Sequence, residues 1–346
     1  MMTPAAILDT SLQGKRIPFT QAPIIDFAPA ESGTRAGKLE VAKHLRDACI
    51  NAGFMYVKNS GVSPSLAEST FSWARRFLKE TTPEQKQAVS MAVHGHNRGY
   101  FTIGEENLDP TSQAAGDLKE GYNIGRELAP DDPDRNTPLC GTNAWPEDFP
   151  GFREAMLTYF DAMNDLSRRM IRIFALSLDM PEDYFDKMVD RPLATMRFLH
   201  YPPQEGVITE EQLGCGAHTD FGCFTFLAQD GVGGLQARNV AGEWIEIPSR
   251  TDCFVMNIGD MFQRWTNDLY ISTLHRVINT SEKDRYSLPF FFDPNADAYI
   301  EALPTCVTPE RPAHYAPTTG LKHIMERLSA GYGFDIVNGG DKKEDM

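Results

Sequence analysis

The pattern of apolar and polar positions divides the chain into a first part with helical periodicity and a second part with strand periodicity. Apolar residues recur at helical spacing in three segments, which are predicted to form helices from about residue 35 to 52, from Ser65 to Glu80 and from Phe152 to Leu178. A further helix is predicted to begin at Thr82, because threonine can cap a helix and Pro83 suits the first helical turn. Two short β-rich runs, Pro23–Phe27 and Phe54–Val57, flank the first of these helices. Residues 92–150 are rich in Gly, Pro, Asn and Asp, and this composition predicts long irregular loops.

From about residue 192 the apolar period changes from that of a helix to that of a strand. Short β-rich runs follow, separated by Gly, Asp and Asn: Thr195–Tyr201, Cys223–Ala228, Gly234–Arg238, Glu243–Ile247, Cys253–Ile258, Thr273–Ile278 and Arg285–Phe292. Short strands at such regular spacing predict an antiparallel sandwich or barrel. We therefore expect a mainly β fold with flanking helices, in which a jelly-roll core is followed by one returning helix, Gly320–Leu328.

The composition is that of a globular protein. Of the 346 residues, 41% are hydrophobic and 23% are charged, which excludes wholesale disorder and a fibrous architecture. The formal net charge is −15, so the surface repels phosphate backbones and non-specific nucleic-acid binding is not expected. No apolar run approaches the roughly 18 residues that a membrane-spanning helix needs. The short apolar patch Ala5–Leu8 has no basic residues ahead of it, unlike a secretory signal, and we expect a cytoplasmic protein.

We expect one compact unit with three parts. Residues 1–150 are expected to form an N-terminal region of helices and loops, and residues 151–335 a jelly-roll core with its long support helix and C-terminal helix. Residues 336–346 are mostly polar and are expected to be a disordered tail. Nothing in the sequence indicates an oligomeric state.

The six cysteines include no Cys-x-x-Cys pair, so neither a zinc ribbon nor a thioredoxin motif is present. We expect all six to be buried free thiols in a reducing compartment. Cys215 and Cys223 lie near the histidine motif described next and are alternative candidates for metal ligands.

A His-x-Asp motif provides the first candidate chemistry. His218 and Asp220 are two residues apart in a β-like segment, where positions i and i+2 face the same side. His275 lies in another predicted strand, and closure of a jelly roll brings two such strands together. Two neutral imidazoles and one carboxylate on one face of a metal leave three positions open, as in the facial triad of non-haem Fe(II) oxygenases. For His-x-Asp alone, the alternative is a surface turn with an Asp–His hydrogen bond.

Arg285 and Ser287, another i, i+2 pair on the last predicted strand, add a site for a carboxylate. A guanidinium offers a planar fork of donors that matches a carboxylate, and the serine adds a hydroxyl donor. An inward arginine near a metal is costly unless an anion meets it. A dicarboxylate that chelates the metal at one end and meets Arg285 at the other satisfies both groups, and 2-oxoglutarate is such a molecule. The alternative is that Arg285 pairs with Asp284 or Glu282 on the outside.

These motifs, taken in order, resemble the isopenicillin-N-synthase-like branch of the 2-oxoglutarate- and Fe(II)-dependent dioxygenases. The resemblance covers most of the chain. Its segments are Pro23–Phe27, Gly53–Val62, Lys119–Gly125, Asn143–Pro146, His218–Asp220 followed by Thr225, Gln229 and Asp230, then His275, and Arg285 with Ser287. Two positions depart from the family pattern: Leu199 stands where relatives commonly have Asn, and Ser60 stands where many have His.

The resemblance implies a double-stranded β-helix with flanking helices and a dioxygenase activity. The residues that it assigns are His218, Asp220 and His275 to Fe(II), and Arg285, Ser287 and Tyr201 to 2-oxoglutarate. It also implies that O2 and 2-oxoglutarate are consumed, that succinate and CO2 are released, and that a small organic metabolite is hydroxylated, desaturated or cyclised.

The candidate residues for the substrate pocket are Phe291, Phe221, Arg98 and Phe101. Alternation along the last predicted strand places the first of them on the same face as Arg285. The last two lie in the loop 92–125, which is expected to cover the mouth of the barrel as a lid. Core packing is the alternative for each aromatic side chain, and a solvated position is the alternative for the arginine.

Other functions remain open from the sequence. Within the same family, some enzymes use O2 without 2-oxoglutarate and others fragment 2-oxoglutarate to ethylene. A catalytically silent β-barrel that binds a small molecule is the alternative from another class, although a binding module has no need of three converging metal ligands. A zinc hydrolase is a further alternative, but the arginine that meets 2-oxoglutarate would then have no purpose.

Overall fold

The computed structural model describes residues 7–8, 23–94, 97–113, 115–204 and 206–332. In chain order, its helices are α1 Ala28–Glu31, α2 Arg35–Asn51, α3 Pro64–Glu80, α4 Pro83–Ala88, α5 Met91–His94, α6 Phe152–Ser177, α7 Asp260–Trp265 and α8 Gly320–Tyr332. Its strands are β1 Ile7–Leu8, β2 Ile24–Asp26, β3 Phe54–Lys58, β4 Gly99–Phe101, β5 Glu120–Gly125, β6 Thr195–Tyr201, β7 Val207–Ile208, β8 Cys215–His218, β9 Phe224–Gln229, β10 Leu235–Arg238, β11 Trp244–Glu246, β12 Cys253–Ile258, β13 His275–Val277, β14 Arg285–Phe292, β15 Tyr299–Ile300 and β16 Thr318–Thr319. The tail predicted at residues 336–346 lies outside the described residues, as does most of the segment considered as a secretory signal.

The three longest helices, α2, α3 and α6, form where the apolar spacing predicts them. On α6, the apolar residues at helical spacing are all buried: Met156, Phe160, Met163, Met170 and Phe174. Helix α4 begins at Pro83 because Thr82 caps it. The Thr82 hydroxyl accepts the Gln85 N–H, and the Gln85 side chain accepts the Thr82 N–H in return.

Two mostly antiparallel sheets form the centre of the fold. The larger sheet has eight strands in the order β2-β3-β12-β9-β14-β6-β5-β4, and the smaller has four in the order β11-β10-β13-β8. In the larger sheet β2 pairs with β3 in parallel, and the pairs that β14 makes with β6 and β9 are antiparallel. The predicted strands Thr195–Tyr201, Cys253–Ile258 and Arg285–Phe292 have the bounds that the sequence indicated.

The larger sheet separates two hydrophobic clusters. On its outer face, the long helices pack against the sheet, and Phe198 of β6 is buried there among the rings of Phe77 and Phe152. The second cluster combines residues from both sheets, such as Tyr56 of β3 and Val277 of β13, and therefore lies between them. The functional groups described below line this inner space.

The prediction of irregular loops over residues 92–150 is wrong in part, because β4 and β5 form one edge of the larger sheet. Gly121 in β5 lies so close to β6 that a Cβ atom there would be 2.5 Å from the Phe198 carbonyl oxygen. A glycine that the composition assigns to a loop is thus what permits the two strands to approach. The segment 92–125, which was expected to form a lid, begins in α5 and ends in β5. The turns between β4 and β5 face the inner space.

Candidate active site

His218 and His275 meet because the strands that carry them pair directly. His218 is the last residue of β8, His275 is the first of β13, and the two are register partners in this antiparallel pair. Their ring centroids are 4.3 Å apart. Asp220 lies two residues beyond the end of β8 and not within a strand as predicted. Its Oδ1 is nevertheless 3.8 Å from His218 Nε2 and 3.7 Å from His275 Nε2.

A hydrogen bond at Nδ1 of each imidazole leaves Nε2 as the ring nitrogen that faces Asp220. His218 Nδ1 donates to the Gly216 carbonyl at 2.8 Å, and His275 Nδ1 donates to the Thr273 carbonyl at 3.1 Å. Because a carbonyl only accepts, the proton of each neutral ring lies on Nδ1, and Nε2 presents its lone pair to the centre.

The Asp220 carboxylate is held in the same manner. Its Oδ2 accepts from Thr225 Oγ1 at 2.5 Å and from Asn257 Nδ2 at 2.6 Å. Oδ1 is left to face the two imidazoles. Partners of this kind orient metal ligands and tune their basicity.

The protonation states suit a metal site. Burial, with a contribution from the neighbouring His218, lowers the pKa of His275 to about 4, so its ring is neutral at physiological pH. Burial alone raises the pKa of Asp220, but the two imidazoles and the hydrogen bonds from Thr225 and Asn257 outweigh it and lower the pKa overall. The carboxylate is therefore ionised.

The donor set fits a divalent transition-metal ion. One ligand atom from each of the three residues lies within 4.8 Å of the others, and no other group of three His, Cys, Asp or Glu side chains in the described part of the chain is so arranged. Two imidazole nitrogens and one carboxylate oxygen are the ligands of a 2-His-1-carboxylate site, which suits Fe(II).

The cysteines do not join this group. Cys215 Sγ lies 3.8 Å from His218 Nδ1, which is the nitrogen turned away from the other ligands, and Cys223 is buried elsewhere. All six cysteines are free as expected, although Cys253 is only partly buried.

Arg285 points inward, so the alternative of an external ion pair is wrong. Its side chain is fully buried; Nε donates to the Gly233 carbonyl at 3.0 Å and Nη2 donates to Gln229 Oε1 at 3.3 Å. Nη1 is buried and has no hydrogen-bond partner among the described residues. The Tyr201 ring lies against the guanidinium, 4.7 Å from its central carbon to the ring centroid. A buried cation with an open donor calls for an anion.

A single cavity of about 820 Å³ connects these groups. The six residues on its wall that the sequence singled out for iron and 2-oxoglutarate are His218, Asp220, His275, Arg285, Ser287 and Tyr201. Much of the remaining wall is apolar, with Leu227, Leu235 and Val277 among its residues. This is the size and character of a small-molecule site.

The structure divides the residues proposed for the substrate pocket into two pairs. Phe291 and Phe221 line the cavity. Arg98 and Phe101 do not; both are buried behind its wall, 3% and 0% exposed. Phe101 is the last residue of the edge strand β4, and Arg98 immediately precedes that strand. Phe101 packs under the Arg197 guanidinium at 4.6 Å, and Arg98 donates to the adjacent Asn97 carbonyl.

Several polar residues of the site were missed by the sequence analysis. Glu106 and Lys119 line the cavity and are 3.2 Å apart, and Glu106 also accepts from Arg197 at 2.7 Å. The arginine shares a strand face with Tyr201, and Asn257 interrupts an otherwise apolar strand. Polar residues at inward positions of predicted strands were thus a usable signal.

Family profiles match two segments of the chain. Residues 22–148 match the family described as non-haem dioxygenase in morphine synthesis N-terminal, and residues 192–294 match the 2OG-Fe(II) oxygenase superfamily. The second match contains the triad and the Arg285 strand.

Characterised relatives and solved structures are similar over most of the chain. The 2-oxoglutarate-Fe(II) type oxidoreductase hxnY of Emericella nidulans is 36% identical over 321 residues, which is 91% of each chain. A homoarginine-6-hydroxylase of Glycine max is 38% identical over 301 residues, covering 83% of this chain and 89% of the relative. The crystal structure of a full-length Neurospora crassa protein in complex with alpha-KG and thymine has a TM-score of 0.77 and 33% identity, covering 89% of this chain and 96% of the other. This overlap confirms the expected jelly-roll core with flanking helices.

None of the helices in the described ranges is both long and apolar enough to span a bilayer.

Proposed function

We propose, since this chain belongs to the 2OG-Fe(II) oxygenase superfamily, that it oxidises a small organic metabolite and releases succinate and CO2. The chain is an Fe(II)- and 2-oxoglutarate-dependent oxidoreductase whose facial triad is His218, Asp220 and His275. The observation that supports the proposal most strongly is Arg285, a buried guanidinium with an unpaired Nη1 in the cavity of the triad.

Arg285, Ser287 and Tyr201 would bind the far carboxylate of 2-oxoglutarate. The guanidinium supplies a full positive charge and an open N–H at Nη1, and no acidic side chain competes for it in the described residues. Arg285 and Tyr201 are register partners in neighbouring strands, and Ser287 follows Arg285 on the same strand face. A carboxylate placed there can accept charge-assisted hydrogen bonds in a site shielded from water.

The chain supplies placement and shielding for the reaction. When bound, Fe(II) and 2-oxoglutarate activate O2 and provide the oxidant that removes hydrogen from an unactivated C–H bond. Thr225 and Asn257 hold the Asp220 carboxylate, and the backbone carbonyls hold the imidazoles, so the ligands need little reorganisation. Leu199, which replaces the family's usual Asn, contributes an apolar side chain to the wall and helps to exclude water.

The substrate would occupy the part of the cavity lined by Phe291 and Phe221. The names of the relatives point to small nitrogen-bearing molecules: one is a homoarginine-6-hydroxylase, and the Neurospora crassa protein was crystallised with thymine. We propose a substrate of comparable size, with hydroxylation as the default outcome. The turns between β4 and β5 would cover it.

We propose that the described residues of 1–150 and of 151–335 act as one catalytic unit, because strands from both parts pair within the larger sheet and helices from both parts share its hydrophobic core. A cytoplasmic location is supported by the six free cysteines. Nucleic acid is not among the proposed partners, given the net charge of −15.

The test is a screen for substrate-stimulated succinate release. The protein, supplied with Fe(II), 2-oxoglutarate and O2, is incubated with small nitrogen-bearing metabolites, and succinate and oxidised product are quantified together. The proposal predicts one succinate for each product molecule. Product formation that continues without 2-oxoglutarate, or ethylene as the main product from 2-oxoglutarate, would instead support the other family chemistries.

A further inference from the structure

Asp293 is a buried acid on the cavity wall that neither iron nor 2-oxoglutarate uses. It follows directly after β14, is 7% exposed and lines the cavity. Its Oδ1 accepts the Cys223 N–H at 2.8 Å. Its Oδ2 has no hydrogen-bond partner among the described residues, and no Lys, Arg or His of those residues forms an ion pair with it.

The Asp293 carboxyl lies against the loop that carries the metal ligand Asp220. The loop from β8 to β9 contains Asp220, Gly222 and Cys223. A Cβ atom on Gly222 would lie 1.5 Å from Asp293 Oδ1, so only glycine leaves room for the carboxyl here. The loop therefore fixes Asp293 with both a backbone donor and a close contact.

The strand register places Asp293 on the substrate side of the iron. Alternation along β14 puts Arg285, Phe291 and Asp293 on one face. Phe291 is the register partner of Thr225, whose hydroxyl bonds Asp220, so the metal ligand is level with Phe291. Arg285 lies before this level and Asp293 beyond it. With 2-oxoglutarate extending toward Arg285, the carboxyl of Asp293 stays free for the substrate.

No cation in the described residues compensates the negative charge that Asp293 carries when it is ionised. Burial raises the pKa of Asp293 to about 7, and the nearby Asp220 adds to the shift. A buried carboxylate without a cation is costly, whereas a cationic ligand that donates N–H groups restores both charge balance and hydrogen bonding. The open Oδ2 is the acceptor that such a ligand needs.

We propose that Asp293 is a specificity-determining residue that binds a cationic nitrogen group, an ammonium or guanidinium, on the substrate. This inference rests on the proposed function, since it assumes that the substrate lies in this cavity next to the iron. It narrows the substrate class to molecules that present a positive charge on the side of the iron away from Arg285.

The test compares a charged probe with a neutral one of the same shape. n-Butylguanidinium and n-butylurea are titrated calorimetrically into the anaerobic protein loaded with Fe(II) and 2-oxoglutarate. We expect the guanidinium to bind about 10- to 100-fold more tightly than the urea, as a charge-assisted hydrogen bond implies. The variant Asp293→Asn, which retains an acceptor for the Cys223 N–H, should lose most of this preference.

A matched control is Asp297→Asn. Asp297 lies close by in the chain, is exposed and pairs with Arg191 at 3.2 Å, so the preference for the cation should persist in this variant. Equal affinity of the wild-type protein for both probes, or no binding of the guanidinium, contradicts the inference even if Asp293→Asn does not fold. A preference that survives in folded Asp293→Asn contradicts it as well.

Failure of this inference can be told apart from failure of the proposed function. Asp293→Asn should bind Fe(II) and 2-oxoglutarate with wild-type affinity, because the triad and Arg285 are unchanged. If the wild-type protein itself did not bind 2-oxoglutarate, the proposed function would be wrong, whereas loss of probe discrimination with intact 2-oxoglutarate binding concerns Asp293 alone.

Discussion

At the scale of single residues, each metal ligand is oriented by a partner on its far side. Backbone carbonyls fix the two imidazoles, but the Asp220 carboxylate depends on two side chains, Thr225 and Asn257. Substitution of either side chain can therefore weaken the orientation of Asp220 without removing a metal ligand.

Thr225→Val removes one of the two hydrogen bonds to Asp220 while nearly preserving the volume of the side chain. We expect Fe(II) affinity to fall about tenfold, because the carboxylate is less well oriented and less strongly bound by its partners. Anaerobic Fe(II) titration measures the change. Thr158→Val, on the exposed face of α6, is the control, and equal losses in both variants would exclude the positioning role.

Arg285→Ala removes the cation proposed to meet 2-oxoglutarate. We expect the KM for 2-oxoglutarate to rise at least tenfold, because charge-assisted hydrogen bonds are lost. Fe(II) affinity should be unchanged, since the triad is separate. Arg250→Ala, at an exposed ion pair with Asp252, is the control. An unaltered KM for 2-oxoglutarate in Arg285→Ala would disprove the assignment.

The i, i+2 spacing of Arg285 with Ser287 was readable from the sequence because both residues lie in one strand and strand alternation has a fixed period. The His218-x-Asp220 motif was also readable, although Asp220 lies beyond the end of β8 and reaches the site through the following loop. The inward polar residues Arg197 and Asn257 were not found. Their positions in predicted strands were a usable signal, but the pairing of the strands was needed to show that this face lines the cavity. Asp293 directly follows the last residue of β14 and has the same parity as Arg285, so it was also predictable on the cavity face.

At the scale of elements, His200 connects β5, β6 and the segment before β14. Its Nδ1 lies 2.8 Å from Glu120 and its Nε2 2.8 Å from Asp284, and its ring stacks on Tyr286. Burial lowers the pKa of His200, but the hydrogen bonds and charges of the two carboxylates raise it more, so the net shift is upward.

His200→Gln is expected to have a pH-dependent effect on stability. A raised pKa in the folded state means that the stabilisation is fully present below the unfolded-state pKa of about 6.5 and is lost as the pH rises through the folded-state pKa. The difference in the free energy of unfolding between wild type and His200→Gln should thus be larger at pH 6 than at pH 9. Urea unfolding at both pH values measures it, and equal differences would contradict the ion-pair account.

Gly121→Ala tests the close approach of β5 to β6. The added Cβ would lie 2.5 Å from the Phe198 carbonyl oxygen. It would also lie 2.8 Å from a methyl carbon of Leu199 and 2.8 Å from a ring carbon of Phe101. We expect a loss of about 1–3 kcal/mol in the free energy of unfolding. Gly233→Ala is the control, since nothing lies within 4 Å of its added Cβ, and a change within about 0.5 kcal/mol is expected there. Similar effects in both variants would rule out the steric explanation.

The elements that the sequence predicted best are those buried on at least one face. Helix α6 and strands β6, β12 and β14 have continuous or periodic apolar patterns, and β6, β12 and β14 have the predicted bounds. Strands β4 and β5 were missed because their glycines, required for close strand contact, have the composition of turns. Pairing of β5 with β6, and of β4 with β5, determines their structure, and local propensity does not contain that information.

At the scale of the whole molecule, both ends of the described chain contribute to one reaction chamber. In the larger sheet, β2 and β3 lie on one side of β12, β9, β14 and β6, and β5 and β4 lie on the other. Ile324 and Leu328 of α8 line the cavity. The iron ligands, Arg285 and the proposed substrate acid Asp293 thus line one cavity.

The most direct test of this account is an anaerobic titration of the protein with Fe(II) and 2-oxoglutarate, followed by visible absorption. We expect one Fe(II) and one 2-oxoglutarate per chain, with a weak charge-transfer band that appears only when both are present and is absent in His275→Ala. A band that persists in His275→Ala, or iron binding that 2-oxoglutarate does not affect, would contradict it.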